Sequence, residues 1–473
     1  MKKYGQLYIG GEWVDPVTPG RTFDLINPAT EQAFASIAFA GPQDVDRAVE
    51  AARAAFPGFS ATSKEERVAL LLRIAELMQQ REGELMAAAS EELGAPITAV
   101  NHARAATENF RQMAKTLAQY EFEKIDGINI IRREPIGVCG LIAPWNWPIQ
   151  TPSTKISAAL AAGCPVVFKP SEFTPITSIL LAEIFHDAGV PKGVFNLVNG
   201  DGPTVGAAIA AHPGIEMLSF TGSTRAGIQV AITAAPTVKR VCQELGGKSA
   251  NIILPDADLQ AAAKWNIGRA CFNTGQSCHS PSRILVHESQ AAELEALLAS
   301  EASKLVVGDP QDPASTMGPA VNKAQFERIQ GYIDKGLEEG ARVVCGGPGR
   351  PEGLSRGYYV KPTVFADVRP DMTIAREEIF GPVLCVITYR DEDEAVEIAN
   401  ETDYGLGGYL FTRDPSKARS LGARLRAGRI FLNGAPSNVA APMGGYKQSG
   451  NGREMGVFGL EEYLEVKALI GYL

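Results

Sequence analysis

From residue 137 onward, short apolar runs alternate with stretches of helical period, and that rhythm leaves few folds open to the chain. Segments 137–143, 166–169, 194–199 and 217–220 have the continuous apolar character of strands buried on both faces. Helical stretches lie between them, and 176–188, closed by Gly189, is the plainest. Strand–helix–strand alternation of this kind builds a doubly wound parallel sheet. A second alternation starts after Gly246 and Gly247, with strands near 251–254 and 284–286. The spacing therefore predicts an α/β protein with two such sheets and a boundary at the glycine pair. A length of 473 residues agrees, because it exceeds what one hydrophobic core normally serves.

Ahead of this region two amphipathic helices are expected. Over 44–56, Val45, Ala48, Val49, Ala52 and Phe56 fall on one face. Ser63 and Glu66 make a capping box before Val68, Leu71, Leu72, Ala75 and Met78. Segment 120–133 belongs to no strand–helix–strand unit and reads as a hairpin with its turn signal at Asp126-Gly127. Such an insertion is either an assembly element or a surface excursion. The apolar end at 463–473 wants a partner, which favours a pairing edge.

Charge and cysteine usage exclude several classes. The net charge of -9 gives no general basic face for nucleic acid or a membrane surface. No apolar run reaches the ~18 residues of a membrane span, and Met1 to Gly5 lead into no apolar signal segment. Seven cysteines without a CxxC pair fit a reducing cytosol, and five dispersed histidines form no metal spacing, so a cytoplasmic protein without a metal is expected.

Chemistry concentrates in a few segments. Cys278 follows a small-residue turn in Phe272-Asn273-Thr274-Gly275-Gln276-Ser277-Cys278, whereas Cys271 reads as a helix residue used for packing. Glu244 precedes a flexible Gly246-Gly247 and is either a base or an ordinary surface carboxylate. Together they suit a thiolate nucleophile and a base that later activates water. Two glycine-rich turns, one holding Gly202 and Gly206 and one running Phe220-Thr221-Gly222-Ser223, lead toward helices and suit a phosphate. Lys169 and Glu172, around Ser171 at a strand end, offer a cation and a carboxylate to ribose hydroxyls.

These segments, with Pro144-Trp145-Asn146-Trp147-Pro148, 377–382 and 442–447, stand in the order of the NAD(P)-dependent aldehyde dehydrogenase superfamily, which the chain resembles over nearly its whole length. The resemblance implies a dinucleotide-binding domain over 1–118 and 136–246 and a catalytic domain over 247–447. It also implies an oligomerisation element over 119–135 and 459–473, in a homodimer or homotetramer. Cys278 is then the nucleophile, Asn146 and the Cys278 backbone N–H the oxyanion donors, and Glu244 the general base. Lys155 and Glu454 match an ion pair that relays a proton from Glu244.

Cofactor contacts implied in the same way are Ile142, Ala143, Pro144, Trp145, Lys169, Ser171, Glu172, Gly202 and Gly206, then Phe220, Thr221, Gly222, Ser223, Leu245, Glu378 and Phe380. Glu172 favours the free ribose 2′-hydroxyl of NAD, and Lys169 beside it leaves NADP possible. The implied substrate channel is Trp147, Thr151, Thr154, Ser277, His279 and Met443, with part of 434–441. This set holds no arginine, hence no anchor for a short carboxylate-bearing semialdehyde, and points to a medium-chain aliphatic or aromatic aldehyde. His279 is a residue that tunes the substrate or the thiolate, or simply a variable position. On an extended segment its side chain points away from that of Cys278, so no Cys–His pair is expected. Alternatives are a semialdehyde dehydrogenase, a CoA-acylating relative, a catalytically silent binding protein and a cysteine hydrolase.

Overall fold

The structure, a computed structural model, describes residues 1–98 and 101–471. Two large sheets carry the molecule. In the first, five parallel strands lie in the order Arg240–Glu244, Met217–Thr221, Cys139–Ile142, Val166–Lys169, Phe195–Leu197. Chain direction across the sheet reverses between Cys139–Ile142 and Met217–Thr221, the crevice where such sheets bind ligands. Alternate residues of each strand feed opposite faces. Val166 and Phe168 join Leu71, Phe110, Ile156 and Phe185 on one side, while Val167 joins Val45, Val49 and Ile209 on the other.

In the second sheet, Thr363–Ala366, Val383–Tyr389, Arg283–His287, Ala250–Ile253, Gly407–Phe411 and Arg429–Leu432 are parallel neighbours, and Arg342–Cys345 closes one edge antiparallel. Leu285 and Ile387 pack against Ile329 and Ile333 on one face, and Ile284 and Val386 against Ile267 and Leu294 on the other. The α/β architecture of two doubly wound sheets thus stands as the alternation predicts.

Details differ. Helix Lys64–Gln80 begins with the expected capping box, Ser63 Oγ accepting from Glu66 N–H at 3.2 Å. Its buried stripe, however, is Leu70, Leu71, Ile74, Ala75 and Met78, while Leu72 is 47% exposed. At 100° per residue, Leu72 stands well round the helix from Leu71. Phe56 is only half-buried, because helix Pro42–Ser60 runs on far enough for Phe59 to fill the core. The hairpin turns one residue later than its signal: Asp126 pairs with Asn129, leaving Gly127 (φ +62°) and Ile128 as the loop. Strand Leu464–Leu469 completes this small sheet by pairing antiparallel with Asn129–Pro135. Residues 472 and 473 of the expected pairing edge lie outside the described residues. Alternation gave no sign of the amino-terminal strands. Lys2–Tyr4, Gln32–Ala38 and Thr22–Asn27 form a sheet of their own, and Leu7–Ile9 and Glu12–Val14 extend the first large sheet. Among the described residues no helix is long and apolar enough to cross a membrane, and no acidic, histidine or cysteine cluster is arranged to hold a metal.

Candidate active site

A cavity of about 720 Å³ opens where the two large sheets meet end to end. From the first sheet it takes residues just after strand ends: Pro144 to Trp147 after Cys139–Ile142, Thr221 to Arg225 after Met217–Thr221, and Glu244 to Gly246 after Arg240–Glu244. The second sheet contributes residues just before strands begin. Cys278 and His279 precede Arg283–His287, Glu378 and Phe380 precede Val383–Tyr389, and Leu406 precedes Gly407–Phe411.

Gly246 and Gly247 join the two rims. A Cβ on Gly247 would lie 2.4 Å from the Cys278 carbonyl oxygen, and one on Gly246 would lie 2.5 Å from Glu378 Oε2. Gly247 N–H donates to Glu378 Oε1 at 3.0 Å. The pair is therefore a close contact between the strand ending at Glu244 and the loops of Cys278 and Glu378, where any side chain would intrude.

The loop carrying the nucleophile is bent by three successive left-handed residues, Asn273 (φ 52°), Thr274 (φ 58°) and Gly275 (φ 70°). A Cβ at Gly275 would fall 2.2 Å from the Gly381 carbonyl carbon, so this position admits only glycine. Side-chain amides hold the bend. Asn273 Nδ2 donates to the Asn146 carbonyl at 2.8 Å, and Asn146 Nδ2 donates to the Gln276 carbonyl at 3.0 Å. One N–H of the Asn146 amide is spent on that bond, and its other N–H is left for the cavity.

Electrostatics set the protonation states. Burial, then the neighbouring Glu378 and Glu244, pushes the Cys278 thiol up to about 12. Glu244 is buried with neither carboxylate oxygen hydrogen-bonded within the protein. Burial and then Glu454 raise it well above the ordinary carboxylate range. Behind it, Lys155 Nζ bonds Glu454 Oε1 at 2.6 Å and Ser219 Oγ at 2.8 Å. Lys155 itself is off the cavity wall, whereas Glu454 reaches it.

The dinucleotide candidates fall into two groups. Pro144, Trp145, Thr221, Gly222, Ser223, Leu245, Glu378 and Phe380 line the cavity. Ser223 caps the helix Thr224–Ala234, accepting from Ala226 N–H at 3.3 Å, and Thr221 Oγ1 is buried without a partner. Free first-turn N–H groups and an orphaned hydroxyl fit an anionic diphosphate. Ile142, Ala143, Lys169, Ser171, Glu172, Gly202, Gly206 and Phe220 lie beyond that wall, on the first sheet and the loops after its strands. Lys169 Nζ stands 3.6 Å from Glu172 Oε2, and Gly206 leaves room against the Lys169 stem. Gly202 and Gly206 bound a π-turn capped by Asp201, whose carboxylate accepts from Thr204 N–H at 2.6 Å and would repel an anion, unlike the neutral Ser223 cap.

Of the predicted channel residues, Trp147, Thr151, Thr154, His279 and Met443 line the cavity, but Ser277 does not. Its hydroxyl turns instead to His279 Nδ1 at 3.4 Å. Arg269 and Arg429 line the same cavity, which corrects the reading of a wall without arginine. They lie 9 residues before and 151 after Cys278 in sequence, and no local signal links them to it. Most of the Arg429 guanidinium is spent on the Pro442 and Ala441 carbonyls, at 2.7 and 2.6 Å. Arg269 faces His279. A second correction concerns His279 itself: its Nδ1 lies 3.7 Å from Cys278 Sγ. Residues 278 and 279 form a turn, so the alternation of an extended segment does not apply.

The aldehyde dehydrogenase family model matches residues 13–469. The chain belongs to the aldehyde dehydrogenase family. A 3-succinoylsemialdehyde-pyridine dehydrogenase of a Pseudomonas species is 50% identical over all of this chain and 99% of its own. Aldehyde dehydrogenase C of Pseudomonas syringae, solved as a cysteine-to-alanine variant with NAD+ and octanal, superposes at a TM-score of 0.98. It is 53% identical over 99% of this chain and 97% of its own. Betaine aldehyde dehydrogenase of Staphylococcus aureus, solved with NAD+, gives a TM-score of 0.94 at 35% identity, covering 98% and 94%. As an aldehyde dehydrogenase the chain is an oxidoreductase, and its fold is that of the solved relatives.

Proposed function

We propose that the protein oxidises an aldehyde to its carboxylic acid through a thiohemiacetal and a thioester on Cys278, with NAD as the preferred cofactor. The observation that carries this reading is the convergence of Cys278, the unpaired Glu244 carboxylate and the Asn146 amide on one cavity. When bound, the nicotinamide supplies the hydride acceptor that aldehyde oxidation needs. Thr221 to Ser223 would hold its diphosphate, Lys169 and Glu172 the adenosine ribose, and Glu378 with Phe380 the nicotinamide end. Glu172 favours the free 2′-hydroxyl of NAD, and Lys169 leaves NADP acceptable.

Cys278 gives its thiol proton to water in the cavity and adds through Sγ to the carbonyl carbon as the C=O π bond breaks, and the developing oxyanion takes the free N–H of Asn146 and the Cys278 backbone N–H. Glu244, raised by burial and unbonded, accepts a proton from water as that water attacks the thioester. Lys155 and Glu454 position it and pass the proton on. By the same reading, the first sheet and its helices bind the dinucleotide and the second carries the nucleophile. The small sheet, with Ile125, Ile128, Val466 and Ile470 exposed, joins copies of the chain into a dimer or tetramer.

The walls Trp147, Phe272 and Phe431 suit a medium-chain aliphatic or aromatic aldehyde. Arg269 on the same wall favours a second reading, an aldehyde with a keto or carboxylate acceptor farther along, the class named for the Pseudomonas semialdehyde relative. The test is formation of reduced nicotinamide across aliphatic, aromatic and semialdehyde substrates, with NADP and Cys278→Ala in parallel. Activity that survives Cys278→Ala rejects the thioester route. Acyl-CoA formed on adding CoA would move the protein to the acylating class.

A further inference from the structure

Four residues from three elements meet beside the nucleophile. Arg269 ends the helix Leu259–Ala270 and sets its guanidinium against His279 Nε2. The other ring nitrogen, Nδ1, faces Ser277 Oγ at 3.4 Å and Cys278 Sγ at 3.7 Å. Tyr409, on Gly407–Phe411, donates its hydroxyl to the His279 carbonyl at 2.6 Å and fixes the ring's backbone.

A guanidinium only donates, so the nitrogen it faces presents a lone pair and the single proton of a neutral imidazole sits on the other. The ring is neutral, since burial and then Arg269 and Arg429 hold it well below its ordinary range. Such a ring cannot take the thiol proton without becoming a cation against Arg269. It can only offer Nδ1–H.

We propose that His279, its tautomer fixed by Arg269, donates Nδ1–H to the Cys278 thiolate and so positions and stabilises the nucleophile without acting as its base. A charged sulfur outcompetes the neutral Ser277 hydroxyl for that proton, so the bond forms when the thiol ionises. This adds a side-chain donor to a site whose groups otherwise divide. The carboxylates Glu378 and Glu244 face Cys278 and oppose its ionisation, the backbone N–H groups of Cys278 and His279 favour it, and Arg269 and Arg429 stand behind His279. The inference rests on the thioester reading above.

The experiment is alkylation of the full-length protein by iodoacetamide across pH, with label at Cys278 read by peptide mass mapping and steady-state kinetics alongside. His279→Ala is expected to slow labelling of Cys278 about tenfold at mildly alkaline pH and move its midpoint upward, as loss of one hydrogen bond to a charge does. His279→Asn, which keeps an N–H donor, is expected to recover part of the rate. Should the alanine variant fail to fold, His279→Leu fills the space without a donor and reads the same quantity. Unchanged labelling in the donor-less variant overturns the proposal, and a raised KM with unchanged labelling does so too, since it shows a pocket wall only. Failure of the thioester reading shows separately, as Cys278→Ala that still reduces the cofactor.

Discussion

Along the first sheet, the cavity residues follow strands and lead into helices; along the second, they precede strands and sit in loops with left-handed backbone. The first rim uses geometry that any doubly wound sheet provides, a strand end and a helix start such as Ser223 at Thr224–Ala234. The second must be forced into place by Asn273, Thr274 and Gly275 and secured by hydrogen bonds from the Asn273 and Asn146 side-chain amides to the Asn146 and Gln276 carbonyls. The proposed dinucleotide seat comes cheaply from the fold, whereas the proposed nucleophile at the amino end of a sheet has to be constructed. Strain of this kind gathers where chemistry is done.

The largest effect separates the rims directly. Cys278→Ala is expected to lower aldehyde oxidation by more than about 10⁴-fold while calorimetric NAD binding, proposed to rest mainly on the first rim, persists. Glu244→Gln comes next. Steady-state turnover should fall by about 10²–10⁴-fold, with a rapid burst of reduced cofactor retained, because the thioester still forms but water is no longer activated. A lost burst would place Glu244 before the thioester. Asn146→Ala, which removes an oxyanion donor, is expected to cost about 10²–10³-fold in kcat, checked by single-turnover kinetics.

Smaller effects read the backbone itself. Gly275→Ala places a Cβ against the Gly381 backbone at positive φ and should destabilise by at least about 2 kcal/mol in denaturant titration. Gly222→Ala keeps an ordinary backbone conformation and presses on the Phe220 ring rather than on backbone, and should cost less than Gly275→Ala, about 1–2 kcal/mol. Equal losses would abolish the contrast between the rims. The smallest is a matter of pH. Burial raises Glu378 to about 7 from 4.5, so the folded protein holds its proton where the unfolded chain has released it. Stability from this group is greatest below about pH 4.5 and falls as pH climbs toward 7. Glu378→Gln should flatten that part of a melting-temperature profile.

What was readable in the chain follows the same division. Strand cores and helix caps leave local patterns, so 166–169 and the Ser63 box were found with their boundaries nearly right. Cys278, Glu244 and Asn146 stood in motifs and come together in the structure. Arg269 and Arg429 were missed because three-dimensional proximity alone puts them on the wall. For His279 the expectation of an extended segment fails because residues 278 and 279 form a turn, which no local pattern marks. The amino-terminal strands escaped because pairing across long sequence separations, such as Lys2–Tyr4 with Gln32–Ala38, leaves no mark of its own period.

The contact at Gly247 has a consequence for anyone who would remodel this protein. Its amide grips Glu378 and its bare α-carbon seats the Cys278 carbonyl, so the proposed cofactor contact and the proposed nucleophile share one point of reference with Glu244 three residues upstream. Changes of specificity have therefore to be made away from this pivot, on Trp147, Phe431 and the 434–441 span, where the wall can be recut and the reacting atoms keep their alignment.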